Sequence, residues 1–131
     1  LDDRAVQPER PTLQVSAEDT FERDLLLGEL EPHIRRLAAK AWAGHQRETG
    51  RVARTVVLKL KTGDFRTLTR SLTPTARPTG ADELAEVALA LRARVELPGE
   101  TRYRLVGVGL AGFVDSDSLQ AQAELFAGVG D

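Results

Sequence analysis

From Arg51 to Thr73, apolar and polar residues alternate in two runs on either side of Thr62-Gly63-Asp64. This is the pattern of a β-hairpin closed by a short Gly-containing turn. In the first run Val52, Val56, Leu58 and Leu60 share one parity, and Ala53, Thr55, Val57, Lys59 and Lys61 share the other. Strand side chains alternate between faces, so one set meets a core while the other presents Thr and Lys to water. In the second run Thr67, Thr69, Ser71 and Thr73 oppose Leu68 and Leu72, and Arg66 and Arg70 fall on the leucine parity. Upstream, Leu13 to Ser16 is a short alternating stretch that predicts a first strand, with Asp19 or Thr20 placed to cap a following helix. Leu27, Leu30, Ile34, Leu37 and Ala41 recur in steps of 3, 4, 3 and 4, an amphipathic helical stripe that begins or bends between Gly28 and Pro32 and continues to Trp42. Downstream of Pro74 and Pro78, Thr79-Gly80-Ala81-Asp82 has the form of a capping box with Asp in the acceptor place. It opens a second helix striped by Leu84, Val87, Ala88, Leu91 and Val95 and stopped by Pro98-Gly99. Tyr103 to Val114 completes the pattern as a last strand, with Val106, Val108 and Leu110 on one parity and Leu105, Gly107, Gly109 and Ala111 on the other.

The order β-α-β-β-α-β predicts an α+β fold, a four-stranded antiparallel sheet with two helices on one face. The other face stays open and carries Thr55, Lys59, Lys61, Thr69 and Ser71. Gly107 and Gly109 strip side chains from the last strand beside them, which permits close approach by a partner. Residues 1–12, polar and containing Pro8 and Pro11, read as a linker from a preceding domain; 13–114 form the domain, and 115–131 a flexible tail.

Charge sharpens the open face. Residues 51–73 hold six basic side chains and one acid, a net +5, whereas the remainder holds 12 basic and 19 acidic, a net −7. A basic, hydroxyl-rich strand face within an acidic chain points to a local anionic partner, with phosphate the first choice. The competing reading is an ordinary solvated strand face. At 131 residues and 41% hydrophobic, the chain suits one globular domain. No apolar run approaches the ~20 residues that cross a bilayer, and Cys is absent, so disulfides and thiolate metal sites are excluded. The expectation is a cytoplasmic protein with no membrane partner.

Catalytic groupings are sparse. His33 and His45 lie on and just after one helix without a metal-ligand spacing, and surface positions are expected for both. Asp115 and Asp117 form an Asp-x-Asp pair without a third carboxylate, read as a solvated turn rather than a metal site. Gly107-Val108-Gly109 lacks the third glycine and the helix of a dinucleotide-binding turn. These residues alone are therefore not expected to form an enzyme. In the tail, Gln122-Ala123-Glu124-Leu125-Phe126 has a polar anchor followed by two apolar knobs, the shape of a linear peptide that docks in a groove. The alternative is that Leu119, Leu125 and Phe126 fold back onto the domain.

RTVVLKLKTGDFRTLTRS followed by RYRLVGVGL resembles the C-terminal "little finger" of Y-family translesion DNA polymerases, closest to the bacterial DNA polymerase IV class. Asp3-Arg4-x-Val6 and Ser16-x-Glu18-x-Thr20-Phe21-Glu22 resemble that family's linker and first strand, and the QAELF tail resembles the bacterial sliding-clamp motif. The resemblance implies a βαββαβ domain whose open sheet lies along primer-template duplex and touches phosphates rather than reading bases. By position it implies DNA contacts from Arg54, Thr55, Lys59, Lys61, Thr69, Arg70, Ser71 and Arg104, and clamp contacts from Gln122, Leu125 and Phe126. The polymerase carboxylates and Mg²⁺ belong to the catalytic core of the same polymerase, so no cofactor is expected in this segment. Two departures weaken the grip: Leu13-Gln14 stand where the family usually has Lys-Ser, and Leu105 stands where some relatives hold a second Arg. Two other readings remain, a split-βαβ regulatory domain for a small molecule or protein, and a single-stranded RNA binder, which would need aromatic side chains on the open sheet.

Overall fold

The apolar parity of the hairpin becomes the core side of β2 (Arg51–Thr62), and the valine-leucine parity near the C-terminus becomes that of β4 (Arg102–Asp115). These two central strands pair antiparallel, with Val56 against Leu110, Leu58 against Val108 and Leu60 against Val106, and none of the six is more than 1% exposed. A computed structural model describes residues 14–48 and 50–115. In it, β1 (Val15–Leu26) flanks β4 and β3 (Thr67–Leu72) flanks β2, giving one antiparallel sheet in the order β1-β4-β2-β3.

Two helices, α1 (Glu31–Gln46) and α2 (Ala81–Leu91), cover the same side of the sheet. Their stripes, Leu30, Ile34, Leu37 and Ala41 below the first and Leu84, Ala88 and Leu91 below the second, are fully buried against the central strands. Each buried Leu or Ile contributes roughly 1.5–3 kcal/mol over leaving it in water, so this layer is the main stabilising contact. Pro32 sits in the first turn of α1, where its missing N–H costs nothing, behind a 3₁₀ turn at Leu27–Leu30 in which the Leu26 N–H donates to Glu29 Oε1 at 2.8 Å. Arg35 makes an ion pair of 3.0 Å to Glu31 one turn back on α1 and ties α1 to α2 by another of 3.0 Å to Glu86. Both are exposed, so solvent screening leaves them little net stabilisation. No helix among the described residues is long and apolar enough to cross a membrane.

The structure corrects several local expectations. β1 is a twelve-residue strand rather than a stub, and Asp19 and Thr20 lie within it instead of capping a helix. Ala17, Phe21 and Leu25 pack on the core, while the acid Asp19 pairs with Arg36 and lies 4.0 Å from His33 of α1. Asp19, which mimics a helix start, is thus a strand residue answering Arg36 of α1. At α2 the Thr79 N–H and hydroxyl donate to Glu83 Oε1 at 2.8 and 2.9 Å, so the capping acceptor is Glu83 and not Asp82. Those two hydrogen bonds, the backbone one first, hold the Glu83 carboxyl below its ordinary range. Helix α2 ends at Leu91 and passes into a 3₁₀ turn at Arg92–Arg94, leaving Val95 outside it.

Alternation also slips at both ends of the β2–β4 pair. Ala53 and Val56 are both buried although three residues apart, and the Arg54–Gly112 pairing between them is missing from the ladder. Gly112 adopts φ +65, and a Cβ there would lie 2.6 Å from Thr55 Oγ1, so only glycine fits this slip. At the other end a register shift between Lys61 and Thr62 leaves Arg104 and Leu105 between the core residues Tyr103 and Val106. The extra residue at this second end, Arg104, makes a β-bulge, which re-aims side chains.

His45, expected at the surface, is only 8% exposed. Its ring stacks on Trp42 with centroids 4.5 Å apart and touches Phe113, and its Nε2 accepts the Ala53 N–H at 3.3 Å. Burial, aided by the nearby Arg77 charge, pushes its pKa below the ordinary value. The unfolded chain then binds the proton first as pH falls, so this stabilising term is complete above about pH 6.5 and is lost on acidification through the folded pKa. Urea midpoints should drop between pH 7.5 and 5.5, and the drop should shrink in His45→Gln; an equal drop in both proteins would contradict the assignment.

Candidate nucleic-acid interface

Opposite the helices, side chains that share the outer parity line up in rows across all four strands. The registers place Thr20, Leu105, Lys61 and Thr67 in one row, Glu18, Gly107, Lys59 and Thr69 in the next, and Ser16, Gly109, Val57 and Ser71 in a third. Beyond them Thr55 pairs with Ala111 and shares a hydrogen bond of 2.7 Å with Thr73 Oγ1. The rows exist because outward residues of adjacent strands stand opposite one another in an antiparallel ladder.

The middle of this face is hollowed out. Gly107 and Gly109 expose backbone where the neighbouring strands raise side chains, and with Gln14, Ser16, Glu18, Val57 and Lys59 they line a depression of about 80 Å³. A Cβ at Gly107 would lie 3.2 Å from the Glu18 Cβ, and one at Gly109 would lie 3.1 Å from the Ser16 Cβ. The trough therefore runs along β4 between a hydroxyl-and-lysine bank on β2 and β3 and a mixed bank on β1.

Of the expected DNA-contacting residues, Thr55, Lys59, Lys61, Thr69 and Ser71 are brought together on this face. Arg54 is exposed at the irregular position opposite Gly112 at one end of β2, and Arg104 sits at the bulge near the other end of the face. Arg104 places its guanidinium 4.2 Å from the centroid of the Phe65 ring. Arg70 departs from the group. It lies on the parity of Leu68 and Leu72, which pack on the core side, and its Nε–H donates to the Arg94 carbonyl at 3.0 Å while Nη1 donates to the Thr69 carbonyl at 2.9 Å. The strand pleat turns it toward the helix layer at the β3 edge. Gln122, Leu125, Phe126 and Asp117 lie outside the described residues, as does Leu13.

Two participants were not anticipated. Glu18 crosses the glycine row to meet Lys59, Nζ to Oε2 at 3.4 Å, so the central cation of the face already has a carboxylate neighbour. The contact depends on Gly107, since the two residues flank it from β1 and β2. Linear sequence holds no sign of it, because the partners are 41 residues apart. Phe65, directly after Asp64, is the second. Among the described residues, no three His, Cys, Asp or Glu side chains are grouped to hold a metal ion.

A four-stranded βαββαβ sheet, bare on one side, is the architecture of little finger domains. The little finger domain of PolIV, in its complex with the beta-clamp processivity factor, matches with a TM-score of 0.61 at 22% identity over 76% of this chain and 87% of that one. Dbh DNA polymerase in its insertion ternary complex matches with a TM-score of 0.64 at 14% identity over 80% of this chain and 30% of that one. At the level of sequence, residues 12–125 match the impB/mucB/samB family C-terminal domain, and the chain belongs to that family. DNA polymerase IV of Xanthomonas euvesicatoria pv. vesicatoria is 56% identical over 126 residues, covering 96% of this chain and 35% of that protein. DNA polymerase IV of Stenotrophomonas maltophilia is 54% identical over 126 residues, covering 96% and 34%. The chain thus spans about a third of the length of these relatives.

The trough makes a prediction about packing. Val normally suits a strand better than Gly, yet Gly107→Val would drive branched methyls into Glu18 and Lys59 and should destabilise by about 1–3 kcal/mol, as overpacking does. Chemical denaturation measures it. A stabilised variant would show that the close approach of β1 and β2 over Gly107 is not real.

Proposed function

We propose that this chain is the DNA-holding domain of a lesion-bypass DNA polymerase, gripping primer-template duplex through its phosphates and tethered to the sliding clamp by its tail. The observation that carries the reading is the row of Lys59, Lys61, Thr69 and Ser71 on a helix-free sheet face. Lysines and hydroxyls donate to phosphate oxygens without regard to base, so they fix position on a duplex and leave sequence unread. The family membership and the DNA polymerase IV relatives support the same assignment. The catalytic carboxylates and Mg²⁺ would reside in the polymerase core of the parent protein, with this domain supplying grip.

The grip is weak by construction. Arg54, Lys59, Lys61 and Arg104 give at most four phosphate contacts, which corresponds to a log–log salt slope of about −3 to −4 and dissociation constants of ~10⁻⁴ to 10⁻⁶ M. Glu18 competes with phosphate for Lys59. A second attachment then matters. Linking a weak DNA site to a clamp-bound tail raises the local concentration of DNA without any new DNA contact. The solved little finger of PolIV bound to the beta-clamp processivity factor and the Gln122, Leu125 and Phe126 spacing both favour that tether.

Titration of labelled duplexes tests the grip. Replacing Lys59 and Lys61 by Ala should reduce the salt slope by about 2 and weaken unrelated sequences alike, whereas Glu18→Gln should tighten binding and leave the sequence-independence unchanged. Absence of duplex binding by the unaltered domain in low salt would end the reading. For the tether, Leu125→Ala with Phe126→Ala should abolish capture by a bacterial sliding clamp at an unchanged melting temperature. A melting temperature lowered by several degrees would assign the pair to the domain's own core.

A further inference from the structure

Phe65 stands alone among the described residues as an exposed large hydrophobic, at 63% of its surface, in the turn between β2 and β3. Its backbone is left-handed at φ +68, a conformation that favours Gly or Asn and is an outlier for a bulky aromatic. The turn is held in that state by a dense set of bonds. The Phe65 N–H donates to the Thr62 carbonyl, the Thr62 N–H to the Arg66 carbonyl and the Arg66 N–H to Thr62 Oγ1, each at 2.9 Å. The Thr62 hydroxyl also bonds Asp64, whose carboxyl is held below its ordinary range by that bond and by Arg66. A turn needing only closure would carry a small residue here. Strain combined with an exposed ring is the signature of a side chain kept for contact rather than for folding.

The ring is also prepared on one side. Arg104 lies over it at 4.2 Å from its centroid, and Lys61 pairs with Leu105, the residue next to Arg104 on the outer sheet face. An aromatic platform beside a cationic track is the combination that binds unpaired nucleotides, because every base has a face to stack and every linkage a phosphate to pair. We propose that Phe65 and Arg104 form a stacking platform for an unpaired nucleobase where single-stranded DNA adjoins the duplex held on the open face. The inference rests on the reading of that face as a DNA grip and shares Arg104 with it, but it assigns a different ligand, an unpaired base, to Phe65. The flat sheet offers phosphate contacts, whereas the turn offers the one exposed ring among the described residues.

The test compares three fluorescein-labelled DNAs by anisotropy: a blunt duplex, the same duplex with a thymidine overhang, and that overhang built from abasic sites, which keep the phosphates and remove the bases. The unaltered protein should bind the thymidine overhang about five- to fifty-fold more tightly than the abasic one. Phe65→Asn, which suits the left-handed backbone and so preserves the turn, should erase that difference, keep blunt-duplex affinity and hold or raise the melting temperature; Phe65→Trp should retain the difference. Equal binding of the two overhangs by the unaltered protein, or a difference surviving in Phe65→Asn, would overturn the platform. Loss of blunt-duplex binding alone would instead overturn the sheet-face grip and leave the overhang comparison standing.

Discussion

One side of the β2–β4 pair is apolar along its middle, and burying that side under two helices positions almost everything else. Val56, Leu58 and Leu60 on one strand and Val106, Val108 and Leu110 on the other leave no freedom in register, because a slip of one residue would send lysines into the core. Once the register is set, Lys59 must stand beside Gly107 and Thr69 on the opposite face. The lysine-and-hydroxyl arrangement of the open face is therefore a by-product of packing geometry. Stabilisation comes from the covered side, and the uncovered side is left to carry polar groups at little cost to folding.

The alternation of apolar residues made most of this legible in the sequence. It marked the hairpin, both helical stripes, the last strand and the outer residues Lys59, Lys61, Thr69 and Ser71. It failed where the chain departs from period two. Ala53 was expected on the outer face and lies in the core because the ladder breaks at Arg54 and Gly112, and such a break depends on two strands at once. The length of β1 was hidden by its acids, which resemble a helix start until Arg36 is seen beside Asp19. Arg70 shows the two kinds of inference diverging: its parity with Leu68 and Leu72 left its placement at a strand end or sheet edge open, the family resemblance grouped it with its outward neighbours, and the structure turns it toward the helices. The burial of His45 could not be read because it requires knowing that Trp42 and Phe113 converge on it.

The electrostatics of the open face are tempered rather than maximal. Its central lysine has a carboxylate at 3.4 Å, and both side chains remain more than two-fifths exposed, at 41% and 47%. An ion pair so well solvated holds together by only about a kcal/mol or less, so the lysine is available to a stronger anion. A surface built this way discriminates against adventitious weak anions more than against a polyanion that engages several positions together. The hydroxyls of Thr69 and Ser71 add donors and acceptors without adding charge, which keeps the face polar inside a chain whose formal net charge is −2.

The arginines at the β3 margin have a consequence for the domain as a material. Arg94 Nη1 donates to the Ser71 carbonyl at 3.2 Å, and Arg70 occupies the Thr69 carbonyl, so acceptors along the sheet's outermost strand are already engaged by guanidinium groups. A foreign strand approaching that border would have to displace two charged donors before it could zip on. The sheet is thereby sealed against growth on that flank, and copies of the protein crowded together are discouraged from stacking into ribbons along it.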